Sequence, residues 1–331
     1  MKKILFTLCL AAALTGARGQ IYIDSYRFGA AVSDDLLLDS FPTAELALSL
    51  RKLDKDYTGN CITIQKDNGD TSNVAFSGNY LDTAAVKTFC GTGAGDSCRV
   101  RVWFDQSGSA RNFRMDTAAQ QPLIMINGEL TYDNGEVAAR FDGSNDYMVI
   151  PNSTSTFNFV HNGNTATIFT VNRYGNVANP NTPYGFIGNC NGNSDQIGFA
   201  LAYDDRGSLS RNDAVSYLVP NGGGVDYSAF ILSNDKITPN QINISYTLID
   251  ANNATAANRM YVAINGDATF NTNTANVNPS ASNATGNLQI GRPPGASPML
   301  GAIQEIILYD ADKSSDRTAI RDNINRFYSI Y

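Results

Sequence analysis

Charge is what this sequence has least of: 17% of its 331 residues are Asp, Glu, Lys or Arg. The strong helix formers Glu, Lys and Arg are scarce as a result, which disfavours a helical bundle. Asn, Gly, Thr and Ser take their place, a mix suited to many short strands joined by polar turns. Histidine is almost missing. His161 stands alone in an Asn/Gly loop with no Ser or Cys motif beside it, so a nucleophile–histidine–acid triad has no support. No C-x-x-C spacing occurs, and one histidine cannot complete a zinc ligand set. After residue 19 no segment is apolar enough to cross a bilayer. No Pro- or Ser-rich linker and no internal repeat interrupts residues 20–331, which therefore read as a single domain.

The first 19 residues read as an export signal. Lys2 and Lys3 supply a positive start, Ile4–Ala13 an apolar stretch too short to span a membrane, and Ala17-Arg18-Gly19 small residues around a cleavage point. The pattern predicts cleavage between Gly19 and Gln20 and a soluble, secreted or extracytoplasmic product, with an uncleaved anchor as the alternative. Taking Lys2, Lys3 and Arg18 from the 24 basic residues leaves 21 against 31 acidic ones, a net charge of −10. Such a chain is not expected to bind nucleic acid, because nothing neutralises the phosphates. It suits a neutral or cationic partner. Membrane insertion is not expected, and the oligomeric state is left open.

Four cysteines remain after the signal: Cys61, Cys90, Cys98 and Cys190. An even number in an exported chain suggests disulfides. Cys90 and Cys98 flank a short, Gly-rich loop and are expected to pair. Cys61 and Cys190 either form a second bridge or stay as buried thiols, which are common in cores.

Strand signals dominate the rest. Ile62–Ile64 and Val74–Phe76 flank the Asp67–Asp70 turn as a hairpin, and Asn134-Gly135 is a second turn signal. Leu46, Leu48 and Leu50 alternate within Leu36–Leu53, but Leu53 and the Ala-Glu-Leu run favour one or two short helical turns there. Ala84–Phe89 reads as another. From Arg140 onward strand patterns recur at Tyr147–Ile150, Thr167–Arg173, Gly185–Ile187, Ile197–Tyr203, Ser216–Val219, Gln241–Ile249, Met260–Ile264, Leu288–Gly291 and Ala302–Asp310. That spacing marks an all-β sandwich. Beyond a cap at Ser314 or Ser315, Ile320, Ile324 and Phe327 fall at helical spacing and predict a last helix packed on the sandwich.

One stretch is more specific. Phe89-Cys90, then Cys98-Arg99-Val100-Arg101-Val102-Trp103-Phe104-Asp105-Gln106-Ser107-Gly108, Gln120-Gln121-Pro122, Asn134-Gly135 and Arg140–Tyr147 follow one another in order. Together they resemble the catalytic module of alpha-L-arabinofuranosidase B, glycoside hydrolase family 54. Ala47–Arg51 and Tyr57–Gly59 fit as well. Arg259–Gly266 reads as a strand into a type I′ turn, and Leu288–Gly291 and Gly301–Tyr309 look like the closing strands of laminin-G-like jelly rolls. The resemblance covers roughly Leu36–Tyr331. It implies an all-β, concanavalin A-like jelly roll of two antiparallel sheets, with the C-terminal helix outside.

The resemblance also implies where chemistry would sit. A retaining glycosidase needs two carboxyl groups about 5 Å apart. The family carries a Glu nucleophile on a mid-chain strand, where this chain reads Phe199–Gly207. Asp205 stands nearest, with Asp204 beside it, and Asp is one methylene too short. The family's acid/base Asp follows an Ile-Gly-Gly turn near the C-terminus. Here that turn reads Ile290-Gly291-Arg292-Pro293-Pro294; Arg292 cannot donate a proton at working pH and proline has no ionisable group. The family's two adjacent cysteines beside the sugar pocket become Asn189-Cys190-Asn191.

These departures favour a secreted carbohydrate-binding or surface-adhesion module without catalysis, its partner a polysaccharide or glycan surface. The alternatives are an active alpha-L-arabinofuranosidase releasing arabinose from arabinan or arabinoxylan, and a structural component of an extracellular or virion assembly. Asn189, Tyr203, Asp204, Asp205 and Arg292, with Cys190 and Gly291, form the expected glycan neighbourhood, Arg292 pairing with Asp204 or Asp205. For both Asp residues a solvated strand-end turn is the favoured reading, since Asp is common in turns. Trp103 could stack on a sugar, but its place in the Arg99–Phe104 alternation favours the core. No cofactor is expected. Asp105–Gly108 and Asp142–Asp146 offer the oxygen ligands calcium takes, yet Asx-rich turns need no metal and no D-x-D-x-D-G loop is present.

Overall fold

Alternation of apolar residues builds strands whose two faces serve different cores. The structure is a computed structural model that describes residues 36–175, 184–190, 196–204, 214–218, 228–230, 238–255, 258–266, 271–272 and 279–331. Residues 1–35, which include the expected export signal, and Asp205 lie outside the described residues. The principal strands are β1 (Ala44–Ser49), β2 (Ile62–Lys66), β3 (Thr71–Val74), β4 (Cys98–Trp103), β5 (Ala139–Asp142) and β6 (Thr165–Tyr174). They continue with β7 (Tyr184–Gly188), β8 (Ala200–Asp204), β9 (Ile242–Asp250), β10 (Met260–Ile264), β11 (Gln289–Ile290) and β12 (Leu300–Tyr309). Helices α1 (Leu37–Ser40), α2 (Thr83–Cys90) and α3 (Arg317–Tyr328) complete the main elements.

Every strand pairing between these elements is antiparallel. In one sheet β1 and β5 lie end to end along β12, followed by β6, β9 and β10. The other runs β3–β2–β4, then through short strands at 113–114 and 148–149 to β11, β7 and β8, and on to 214–218 and 228–230. The strand Leu123–Ile126 bonds to both β4 and β5, so the sheets join as one curled, all-β sandwich. The expected architecture is therefore the observed one.

Two cores follow from the alternation. Ile168 of β6, Ile249 of β9 and Ile303, Ile306 and Leu308 of β12 face the main core between the sheets, with Trp103, Phe113 and Phe141. Phe169, Val171, Ile244, Tyr246, Ile307 and Tyr309 point the other way. There Ile320, Ile324 and Tyr328 of α3 cover them, so the helix sits outside the sandwich as expected. Its start differs: Asp316 occupies the capping position, without a side-chain cap bond.

The segment 44–49 is a strand, not a helical turn. Leu46 and Leu48 enter the main core while Ala44 and Ala47 face the helix side, so both faces are covered once β1 pairs with β12. Long-range pairing outweighs the local helix preference of Ala, Glu and Leu. α1 supplies a single turn just before it. The Asn134-Gly135 turn has φ of 50° and 85°, as a type I′ hairpin requires.

Cys90 and Cys98 are bonded, with Cα atoms 6.0 Å apart. The second bridge is not formed. Cys61 belongs to the main core and its thiol donates to the Ser49 carbonyl at 3.4 Å, whereas Cys190 packs with Ala200 in a separate cluster.

Candidate functional site

Of the residues expected to meet a sugar, Asn189, Cys190, Tyr203 and Gly291 lie on the strands around β7 or next to them. The β7 register places Tyr184 opposite Tyr203 of β8, and Ile187 opposite Ile290 of β11. The chain leaving β11 turns at Gly291, whose N–H donates to Phe186 at 2.9 Å while its carbonyl accepts from Met299 at 2.7 Å. Gly291 has φ +79°, and a Cβ there would lie 2.3 Å from the Phe141 ring. Only glycine fits, which explains this part of the Ile-Gly signature.

The turn that follows arches over β7. A Cβ on Gly185 would lie 2.5 Å from Pro293, and one on Gly286 would lie 2.8 Å from Pro294 and 3.1 Å from the Asn189 carbonyl. The two prolines are thus seated directly on glycines of the neighbourhood where the family resemblance places its acid. Tyr184 and Ser297 form a parallel bridge that closes the turn against the strand. Arg292, between Gly291 and Pro293, is exposed.

Asn189 follows β7 and is fully buried. Its Oδ1 accepts from Phe199 N at 2.8 Å, and its backbone bonds to Phe199 and Gly286 tie β7, β8 and the β11 approach together. Gly198 must be glycine here, since a Cβ would sit 2.3 Å from Asn189 Oδ1. The Asn189 Nδ2 group has no hydrogen-bond partner among the described residues. Cys190 is buried beside it.

Tyr203 does not offer a platform to solvent. It is 3% exposed and stacks on Tyr174 with centroids 4.7 Å apart and planes at 21°, within the main core. Strand alternation turns this ring inward. Burial, and secondarily Tyr203, push the Tyr174 hydroxyl well above the usual phenol range. Asp204 ends β8 and its backbone pairs with Ala214. Its side chain and all of Asp205 lie outside the described residues, as does any pairing of either with Arg292. Asn189, Cys190, Gly291 and the Arg292–Ser297 turn are brought together; Tyr203 flanks them from the core side.

The other chemistry-bearing motifs serve the fold. Asp105 accepts from Ala47 N (2.9 Å), Ser107 N (2.9 Å), Ser107 Oγ (2.8 Å) and Arg111 N (3.0 Å). Gln106 Nε2 donates to the carbonyls of Ser49 and Arg51, and its Oε1 accepts from Leu53 N. Trp103 is fully buried and donates to the Ser49 carbonyl at 3.3 Å. The Trp-Phe-Asp-Gln-Ser-Gly run is a clasp on β1. Asp142 Oδ1 accepts from Ser144 and Asn145, and Asp146 Oδ2 from Asp142 N at 2.9 Å, an Asx-type turn. Burial, then the Asp142 charge, push the Asp146 carboxyl up to about 7. Burial lowers the His161 pKa, and its Nδ1 contacts the Ser280 carbonyl at 3.2 Å. Among the described residues no group of three His, Cys, Asp or Glu side chains is placed to hold a metal ion.

The sequence does not signal a second concavity. It lies between the Tyr132–Val137 hairpin and the end of α3, with Tyr80, Glu136 and Phe327 in its lining. Two exposed tyrosines separated by some fifty residues carry no local pattern that would have marked it.

The fold is similar to that of solved β-sandwich structures. An arabinofuranosidase complexed with arabinofuranosyl-alpha-1,2-xylobiose superposes with a TM-score of 0.56 at 12% identity, covering 85% of this chain and 62% of that one. A GH54 α-L-arabinofuranosidase soaked with a cyclic sulfate inhibitor gives 0.55 at 13% identity, covering 87% and 64%. The chain therefore spans less than two thirds of these enzymes' length. At such identity the likeness is one of fold. No protein-family model matches the sequence, and no curated protein sequence does.

Proposed function

We propose that the chain is an exported, non-catalytic carbohydrate-binding or surface-adhesion module on an arabinofuranosidase-like scaffold, folded as a single domain from Gln20 onward. The observation that carries this reading is the seating of Pro293 on Gly185 and Pro294 on Gly286. A retaining mechanism needs a protonated carboxyl beside a nucleophile, with room for the sugar between them. At the turn where the resemblance places that carboxyl stand an exposed arginine and two prolines packed on the strand beneath. The scaffold's likeness to an enzyme complexed with an arabinosyl-xylobiose supports glycan as the ligand class. Polysaccharides with arabinose branches are the first candidates.

Two measurements test this. Nitrophenyl α-L-arabinofuranoside should yield no nitrophenol, and the chain should be retarded in affinity gels containing arabinan or arabinoxylan. Turnover that disappears in Asp205→Asn would overturn the non-catalytic reading. Absence of both turnover and retardation would move the reading to a structural component of an extracellular assembly.

A further inference from the structure

The concavity at the end of α3 has the makings of a ligand site that shares no lining residue with the β7 neighbourhood. Its volume is about 220 Å³. That is below the range of about 300–1,000 Å³ typical of clefts for drug-sized molecules, so it suits one ring. Tyr80 and Tyr132 are 55% and 52% exposed, and with Tyr331 they are the exposed large apolar side chains among the described residues. The Tyr80 and Phe327 rings lie 5.2 Å apart with planes at 33°, forming a continuous aromatic wall. Leu50, Leu81 and Val137 add apolar lining.

The polar groups restrict the ligand's chemistry. Arg51 is the cation of the cleft, but its donors are engaged: Nε and Nη2 on Glu305 at 2.7 and 3.0 Å, Nη1 on Asn323 at 3.0 Å. An anionic ligand therefore finds its charge already neutralised. The Arg51 guanidinium also lies 5.1 Å from the Phe327 centroid, so a second cation at that ring would meet a like charge. Glu136 is half-buried, and burial raises its carboxyl pKa without a compensating cation among the described residues. It accepts hydrogen bonds from hydroxyl groups. A neutral ring with one C–H face and several hydroxyls meets all of these constraints.

The walls are fixed before any ligand arrives. Asn134 Nδ2 donates to the carbonyls of Tyr328 and Ser329. Gln304 Nε2 donates to the carbonyls of Asp133, Glu136 and Val137, and Arg173 pairs with Asp133. The hairpin is thus pinned to α3 on one side and to β12 and β6 on the other. Preorganisation of this kind lowers the cost of binding.

We propose that this cleft is a saccharide subsite, taking a single neutral sugar ring against Tyr80 and Tyr132 with its hydroxyls on Glu136. The ligand class rests on the carbohydrate reading; the position does not. The test is retardation of the full chain in arabinoxylan gels, comparing Tyr80→Ala, Tyr132→Ala and Glu136→Gln with Asp70→Asn, an exposed turn residue outside the cleft lining. Loss of a stacking ring weakens binding by about tenfold, and the same loss is expected for both tyrosine variants, while Asp70→Asn stays retarded. Circular dichroism of the near-isosteric Glu136→Gln guards against a folding artefact. Retardation unchanged in all three cleft variants would overturn the site and leave the glycan reading standing. If the unsubstituted chain is not retarded in any polysaccharide gel, both fail. Ring resonances of Tyr80 that shift with tetramethylammonium chloride but not with methyl α-L-arabinofuranoside would replace the sugar with a cation.

Discussion

Replacing Glu305 by Gln should be among the most damaging isosteric changes in this protein. Glu305 is fully buried in β12, and its carboxylate takes two bonds from Arg51, one from Ser49 Oγ at 2.8 Å and one from Tyr328 OH at 3.2 Å. Burial alone would weaken Arg51's hold on its proton; Glu305 more than offsets this and leaves the guanidinium pKa raised. The cluster joins the end of β1, β12 and the last turn of α3. In Glu305→Gln the amide NH₂ must face one of these donors, and Arg51 keeps a buried, uncompensated charge. Breaking one partner of such a pair costs about 3–5 kcal/mol. With a urea m-value of about 3 kcal/mol/M, the unfolding midpoint should fall by roughly 1–1.7 M. Equilibrium unfolding followed by far-UV circular dichroism reads this directly. Adding Arg51→Met to the variant should recover part of the loss, because it removes the uncompensated buried charge. A midpoint shift below about 0.3 M at unchanged m would refute the reasoning, since it would mean that water reaches Arg51.

Two further outcomes follow from single sites. Cys90→Ser opens a short loop, and the chain-entropy relation gives a loss of about 2.5 kcal/mol; non-reducing peptide mapping should find Cys90 and Cys98 linked beforehand. For Asp146, a folded-state pKa of about 7 exceeds the unfolded value of 3.8, so the folded chain holds the extra proton between them. Stability from this group is complete below about pH 4 and is lost as pH rises to about 7, by at most ~4 kcal/mol. Asp146→Asn should flatten that slope, and identical midpoints for the two proteins at both pH 4 and pH 7.5 would contradict it.

Sequence pattern reached the fold because strand alternation is a local property. Thr167–Arg173 and Ala302–Asp310 announce themselves as two-sided strands, and they pair with each other at the centre of the first sheet. It misread Ala44–Ser49, whose strand state depends on β12, more than 250 residues away. Tyr203 was misplaced for a related reason: alternation marks two faces but not which one meets Tyr174. The prolines after Gly291 were visible in the sequence. Their packing on Gly185 and Gly286 was not, because it depends on how the turn folds back over β7. The Tyr80–Tyr132 cleft had no local signature, being assembled from a strand end, a hairpin and a helix terminus.

The stretch that carries the family resemblance most specifically is also the stretch whose side chains are most committed to holding the fold. Asp105 and Gln106 together accept or donate bonds at Ala47, Ser49, Arg51 and Leu53, four positions along one edge segment. The Ser49 carbonyl also accepts from Trp103 and Cys61, whereas the Ala47 and Leu53 N–H groups depend on Asp105 and Gln106, and a buried donor left unpaired costs about 1–3 kcal/mol. Cys90–Cys98 and Gln121, which bonds Gln65 and the Met115 carbonyl, extend the same framework. A sequence can therefore keep this signature for the sake of the sandwich alone, because its side chains are engaged in bonds within the fold. The Trp-Phe-Asp-Gln-Ser-Gly motif thus speaks for the scaffold and not for an activity, and the test of function lies with the glycan-binding and turnover measurements.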